Sequence, residues 1–135
     1  MKINNINSAY NLNNMPQSHG PLTPDETKEV QNIQAQMKGL IDLVNKAQGE
    51  PKNQKENDLT SAQQQVIGLQ QTMVNLYHSN PQAFSQATPN CLNDLKDILT
   101  DIGQISTTPD GLQRCTNDMN AVIGNLQNFL NGGDY

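Results

Sequence analysis

The sequence predicts an all-α fold: a four-helix bundle of two antiparallel hairpins, preceded by a disordered N-terminal arm. Three observations predict it. Two stretches carry apolar residues at alternating spacings of three and four, the seam of helices that pack against one another. A Thr-Pro pair recurs at Thr23-Pro24, Thr88-Pro89 and Thr108-Pro109, each time ahead of an apolar stripe, where Thr can cap and Pro fits the first turn. Alternating apolar and polar residues, the pattern of half-buried strands, do not occur.

Residues 1–22 are rich in Asn and Ser, end in Ser18-His19-Gly20-Pro21 and carry no helical or strand period, so the arm is expected to be disordered. The bundle domain follows over 23–131. Its first helix has a complete start signal: Thr23 as N-cap, Pro24 at the first helical position and Glu26 where a capping box needs it. Asp25, Glu26 and Glu29 complement the positive end of the helix dipole. Val30, Ile33, Met37, Leu40 and Val44 form the stripe, Ile41 widens it, and Gly49 and Pro51 stop the helix. Residues 49–57 are polar and read as a mobile linker.

The second helix is expected over about 58–78. Leu59, Ala62, Val66, Leu69, Met73 and Leu76 make its heptad seam, broadened by Ile67 and Tyr77. It ends at Ser79-Asn80-Pro81, after which one helical turn over 82–87 faces Ala83, Phe84 and Ala87 inward. Thr88-Pro89-Asn90 opens a third helix with Cys91 or Leu92, then Leu95, Ile98, Leu99, Ile102 and Ile105 on its stripe. Thr108-Pro109-Asp110 opens a fourth, in which Leu112, Cys115, Met119, Val122, Leu126 and Phe129 repeat the heptad spacing. Residues 132–135 read as a frayed tail. Short connections make neighbouring helices antiparallel, and the last two form the tightest hairpin.

Composition narrows the function classes. Hydrophobic residues are 34% and aromatic residues 4%, and charged residues only 16%, so the polar faces are neutral, built from Asn and Gln. This is not the high-charge signature of a wholly disordered chain. The net charge of −5 argues against nucleic acid, whose phosphates need clustered cations. The one basic grouping, Lys46, Lys52 and Lys55, is broken by Glu50 and Glu56. No apolar run approaches 18 residues, so no transmembrane helix is expected. The first ten residues lack the apolar stretch of a cleaved secretory signal. The protein is therefore expected to be made in the cytoplasm, with any export using another route.

No constellation for catalysis emerges, and no enzyme activity, cofactor or metal is expected. His19 and His78 have no ligand partner at metal spacing, and His78 suits the negative end of a helix. In an antiparallel hairpin Cys91 lies about 20 Å from the shared end and Cys115 roughly 5–10 Å from it, at about 1.5 Å per residue. That gap exceeds the roughly 7 Å limit for bridged α-carbons, which favours buried free thiols; a different helix order would favour a disulfide. Asp94, Asp97 and Asp101 share a helix face and read as a solvated acidic stripe. Met37 and Met73 read as core fillers rather than an adaptable binding surface.

What remains is binding to other proteins. Heptad seams either close within the chain or stay partly open for another chain. In the second case Leu59, Val66, Leu69, Met73, Leu76, Met119, Val122 and Leu126 are the candidate partner-binding residues. Neutral flanks carry little charge-coded specificity, so self-association stays open.

The segment Ile3-Asn4-Asn5-Ile6-Asn7-Ser8 resembles the uncleaved, Asn/Ser/Ile-rich export signals of bacterial type III secretion substrates. Ser79-Asn80-Pro81-Gln82 is similar to the Pro-containing turn of the type III needle subunits, a helical-hairpin family. The chain differs from needle subunits in its length and extra helices and in lacking their aromatic-rich start. It looks more like the small exported helical accessory proteins encoded beside the needle genes (OrgC/MxiL-like). That resemblance implies secretion without a cleaved signal peptide, partners among needle or other secreted subunits, and a role in needle assembly. Two other readings fit the same residues: a cytoplasmic secretion chaperone or adaptor holding an amphipathic helix of a client, and a self-assembling structural helical subunit.

Overall fold

A computed structural model describes residues 20–135. The candidate export residues 3–8, and all of the expected arm before Gly20, lie outside the described residues. Among those described, regular structure is entirely helical: α1 (Pro24–Ala47), α2 (Lys52–Ser79), the single turn α3 (Pro81–Phe84), α4 (Ala87–Gln104) and α5 (Gly111–Leu130). None of these helices is long and apolar enough to cross a membrane.

The start of α1 forms as its sequence dictates. The Glu26 amide donates to Thr23 Oγ1 at 3.1 Å, and the Thr23 amide donates to Glu26 Oε1 at 2.9 Å, a reciprocal capping box. The expected linker is shorter than its polarity suggests, because residues 52–57 belong to α2. Lys, Gln and Glu are good helix formers, and Pro51, whose ring stops α1, also starts α2, where no amide hydrogen is needed. The Lys55 amide donates to the Pro51 carbonyl at 2.9 Å, and Glu50 accepts from Gln54 at 3.3 Å.

Two of the three Thr-Pro pairs lie near helix starts without capping them. Helix α4 begins at Ala87, so Thr88 sits inside its first turn, buried, and its hydroxyl donates to the Met73 carbonyl of α2 at 3.2 Å. Thr108 likewise spends its hydroxyl on the Gln104 carbonyl, 3.0 Å away, and α5 follows Asp110 with no side-chain cap. Residues 132–135 are not frayed. Gly132 takes the left-handed conformation (φ 95°), its amide donates to Phe129 at 3.1 Å, and the Gly133 amide donates to Asn128 at 2.9 Å. This is a Schellman cap, and it returns Tyr135 to pack on the core.

Helix α1 packs on α2 and α5, and α4 packs on α2 and α5, with α3 wedged against α2 and α4. The start of α1 meets the end of α2, where Ser79 and Asn80 reach Glu26, and the start of α4 meets the chain beyond α5, where Tyr135 reaches Asp94. The stripes face one interior: Val30, Ile33, Met37, Leu40 and Val44 of α1, Ala62, Val66, Leu69, Met73 and Leu76 of α2, Leu95, Ile98 and Ile102 of α4, and Cys115, Met119, Val122, Leu126 and Phe129 of α5. Each large side chain buried this way contributes about 1.5–3 kcal/mol of hydrophobic free energy. Met37 and Met73 are core fillers. A polar clamp joins α1 to α5: Gln34, also on the buried face, donates to the Ile123 carbonyl at 3.1 Å and to Gln127 at 3.3 Å.

The α4–α5 connection is close enough that a side chain at Gly111 has no room. A Cβ there would stand 2.6 Å from the Gln104 carbonyl oxygen, 2.7 Å from Thr108 Oγ1 and 2.9 Å from Ile105 Cα. Two of these three are backbone atoms, which yield only by opening the turn. Gly111→Ala is therefore expected to destabilise the protein by about 1–3 kcal/mol. Chemical denaturation of the variant beside Gly124→Ala, where nothing lies within 4 Å of the added carbon, checks this. Equal midpoints for the two would contradict the crowding.

Candidate functional site

The heptad residues that would serve a partner if the seams were open are interior. Val66, Met73, Met119, Val122 and Leu126 are fully buried, Leu69 and Leu76 almost so, and only Leu59 is half-buried. The two seams close on the chain's own helices, and another chain reaches them only by opening the bundle.

Apolar surface remains elsewhere. Ile67 (54% exposed) and Tyr77 (39%) are the large hydrophobic side chains left exposed among the described residues. Both sit one residue past a seam position, after Val66 and Leu76, which rotates them about 100° away from the core on a 3.6-residue helix. With half-buried Val74, seven after Ile67 and three before Tyr77, they line one face of α2. The reading of Ile67 and Tyr77 as broadening the seam is thus corrected. That offset was the signal available in the sequence.

This face borders α4. Tyr77, Ser85, Thr88, Pro89 and Leu92 line an open groove of about 260 Å³. Its walls follow from local structure: α3 turns the chain at Phe84, Thr88 ties α4 to the Met73 carbonyl, and Pro89 in the first turn of α4 needs no amide donor. The lining holds hydroxyls and hydrocarbon but no carboxylate, imidazole, amine or thiol. Such a surface favours apolar side chains over a reacting substrate.

A polar knot anchors the head of the groove. Asn80 caps α3, its Oδ1 accepting from the Ala83 amide at 3.3 Å, while its Nδ2 donates to Glu26 Oε1 at 3.0 Å and to the Pro21 carbonyl at 3.2 Å. Ser79 Oγ lies 3.4 Å from Glu26 Oε2. Burial works to raise the Glu26 carboxyl, but the hydrogen bonds from Thr23, Asn80 and Ser79 outweigh it, and the net direction is downward. Ser79-Asn80-Pro81-Gln82 therefore leads into a capped single-turn helix, not directly into a returning long helix as in a simple hairpin turn.

Two further clusters lie at opposite ends of the α4–α5 contact. At one end Asp101 is buried, which corrects the reading of a solvated acidic stripe; Asp97 is exposed and Asp94 accepts from the Tyr135 hydroxyl at 2.8 Å. Arg114 Nε stands 3.5 Å from Asp101 Oδ1, its Nη1 2.9 Å from Asp110, and its Nη2 donates to Gln104 at 2.8 Å. Asp101 Oδ2 is buried with no donor facing it, and the neighbouring Asp118 carboxylate is itself an acceptor. Burial first, then Asp118, pushes the Asp101 carboxyl up to about 6, against the pull of Arg114. At the other end Cys91 adjoins Tyr135 and Asp94. Both cysteines are free and buried, and burial pushes each thiol up to about 12. Thiols so protonated are poor nucleophiles.

Among the described residues no group of three His, Cys, Asp or Glu side chains is placed to hold a metal ion. Comparison of the chain with models of protein families, with curated proteins and with solved structures finds no match in any of the three.

Proposed function

We propose that this chain is a non-enzymatic protein-binding protein whose contact surface is the outer α2–α4 face around Tyr77 and Leu92. Its architecture in this reading is a four-helix bundle of two antiparallel hairpins, α1–α2 and α4–α5, with α3 as a corner between them. The observation that carries the reading is that the large hydrophobic side chains left exposed among the described residues, Ile67 and Tyr77, both lie on α2, and that Tyr77 lines an apolar groove against α4. The closed core leaves the heptad seams as scaffold.

Within that class the reading favoured by residues 3–8 is an exported accessory of a bacterial type III secretion system that assists needle assembly. It is made in the cytoplasm and secreted without a cleaved signal, with needle or other secreted subunits as partners. Support comes from the composition of that segment, not from a relative and not from the Asn80-Pro81 turn, which opens the single-turn α3. The decisive experiment compares culture medium from its own bacterium, with and without residues 2–20, in strains with an intact or a disabled type III apparatus. Full-length protein in the medium that needs both the segment and the apparatus is the expected result. Retention in the cytoplasm of the intact strain overturns export and returns the chain to the chaperone or adaptor class.

A further inference from the structure

We infer that two copies of this chain pair through the outer face of α2, in an antiparallel two-fold contact that seats Ile67 of each copy in the groove beside Tyr77 of the other. This rests on the α2–α4 face being a contact surface and names a second copy as its occupant.

Charge singles out this face. Residues 59–93 include no Asp, Glu, Lys or Arg, although charged residues make up 16% of the chain. That run covers α2 beyond its first two turns, all of α3 and the first two turns of α4. Two copies carry the same net charge of −5, so faces that display it resist self-association, and this one does not. In a two-fold contact each group near the axis meets its own counterpart, where like charges would repel. The amides of Gln64 and Gln71 both donate and accept, so they can bond the same groups of another copy. Foreign partners are commonly selected by charge, and this face has none to select with.

Shape is self-complementary as well. Thr60, Gln64, Ile67, Gln71 and Val74 recur at spacings of four and three on the outer side of α2, with Tyr77 where α4 joins. Ile67 is the exposed large aliphatic side chain among the described residues, and the groove at Tyr77, about 260 Å³, has room for such a side chain. Projection and groove lie about 15 Å apart along one helix. Antiparallel pairing about their midpoint therefore fills both grooves at once and closes at two copies, as an isologous contact must. It also opposes the two α2 dipoles and keeps the charged start of each α2, residues 52–58, away from its own copy. From Thr60 to Tyr77 is about 26 Å, and with the α4 wall the face is roughly 20 Å across, so the pair buries on the order of 1,000 Å² in all. That is the size of a weak, reversible interface, and a dissociation constant of roughly 10–100 μM is expected.

Sedimentation equilibrium of the full chain over a rising concentration series tests it. The mass should climb from 14.9 kDa to twice that value and stop there. Ile67→Lys and Tyr77→Glu should each weaken association at least tenfold with an unchanged circular dichroism spectrum, while Gln36→Lys on α1, the same change in net charge, should leave it as it is. In a mixture of the Ile67→Lys and Tyr77→Glu chains association should return, because the introduced lysine of one chain meets the introduced glutamate of the other. A mass of 14.9 kDa at every concentration, growth beyond two copies, or no recovery in the mixture overturns the pairing. For a chain that stays single, binding of anilinonaphthalene sulfonate that Tyr77→Ser removes would keep the face as a contact surface for a different protein. No dye binding to the single chain overturns that reading as well.

Discussion

Phe84→Ala should lower the unfolding free energy by about 3–5 kcal/mol, the usual cost of emptying a buried aromatic site. Phe84 is fully buried and is the largest side chain of α3. Its ring packs on Phe129 of α5 with centroids 5.3 Å apart and planes tilted by 46°, a geometry that adds about 0.5–1.5 kcal/mol beyond the buried area. A four-residue helix has no stability of its own, since nucleation is unfavourable and propagation has barely begun. Phe84 and the Asn80 cap therefore hold α3 in place, and α3 in turn shapes the groove and seats Gly20. Urea denaturation measures the first effect, and hydrogen exchange at the amides of 83–87 should rise with it. Tyr77→Ala, at an exposed position, is the control and should change stability by less than about 1 kcal/mol. Similar midpoints for the two variants would mean that α3 is not anchored as described.

The second large effect is a pH dependence opposite to ordinary acid denaturation. The Asp101 carboxyl is raised from its ordinary 3.8 to about 6, so between these values the folded protein holds a proton that the unfolded chain has released. Its contribution to stability is present at the acid end and falls as pH rises through about 6, by roughly 2–3 kcal/mol in total. Glu26 works the other way: lowered in the folded state, it contributes above the ordinary glutamate value of 4.5, and that contribution is lost as pH falls through its depressed folded value. Comparison with Asp101→Asn isolates the first effect. The amide keeps an acceptor for Arg114 and supplies a hydrogen for Asp118, so the variant should be more stable than wild type at pH 7 and equal to it near pH 4. A difference that does not vary with pH would show that the Asp101–Asp118 pair holds no extra proton.

The sequence by itself determined the helical class, most of the stripes and the capping box at Thr23 and Glu26, because these depend on residues within a few positions of one another. The spacing of Leu69, Met73 and Leu76 needs no tertiary structure to be read as one helix face, and a reciprocal cap is complete within four residues.

Tertiary structure decided what those local patterns touch. A heptad seam looks the same whether it meets its own chain or another, and only the packing of all four stripes on one interior shows that these are closed. Asp101 is indistinguishable from Asp97 as a helical carboxylate until α5 arrives with Arg114 and Asp118. Thr88 reads as a cap until the Met73 carbonyl of α2 takes its hydroxyl. The Schellman cap at Gly132 and Gly133 is local to the end of α5, but the seating of Tyr135 depends on Asp94 of α4. Polar linkers and apolar offsets misled for the same physical reason: exposure is a property of the space between helices, and a single helix does not contain that space. The groove at Tyr77 exists only where α2, α3 and α4 converge.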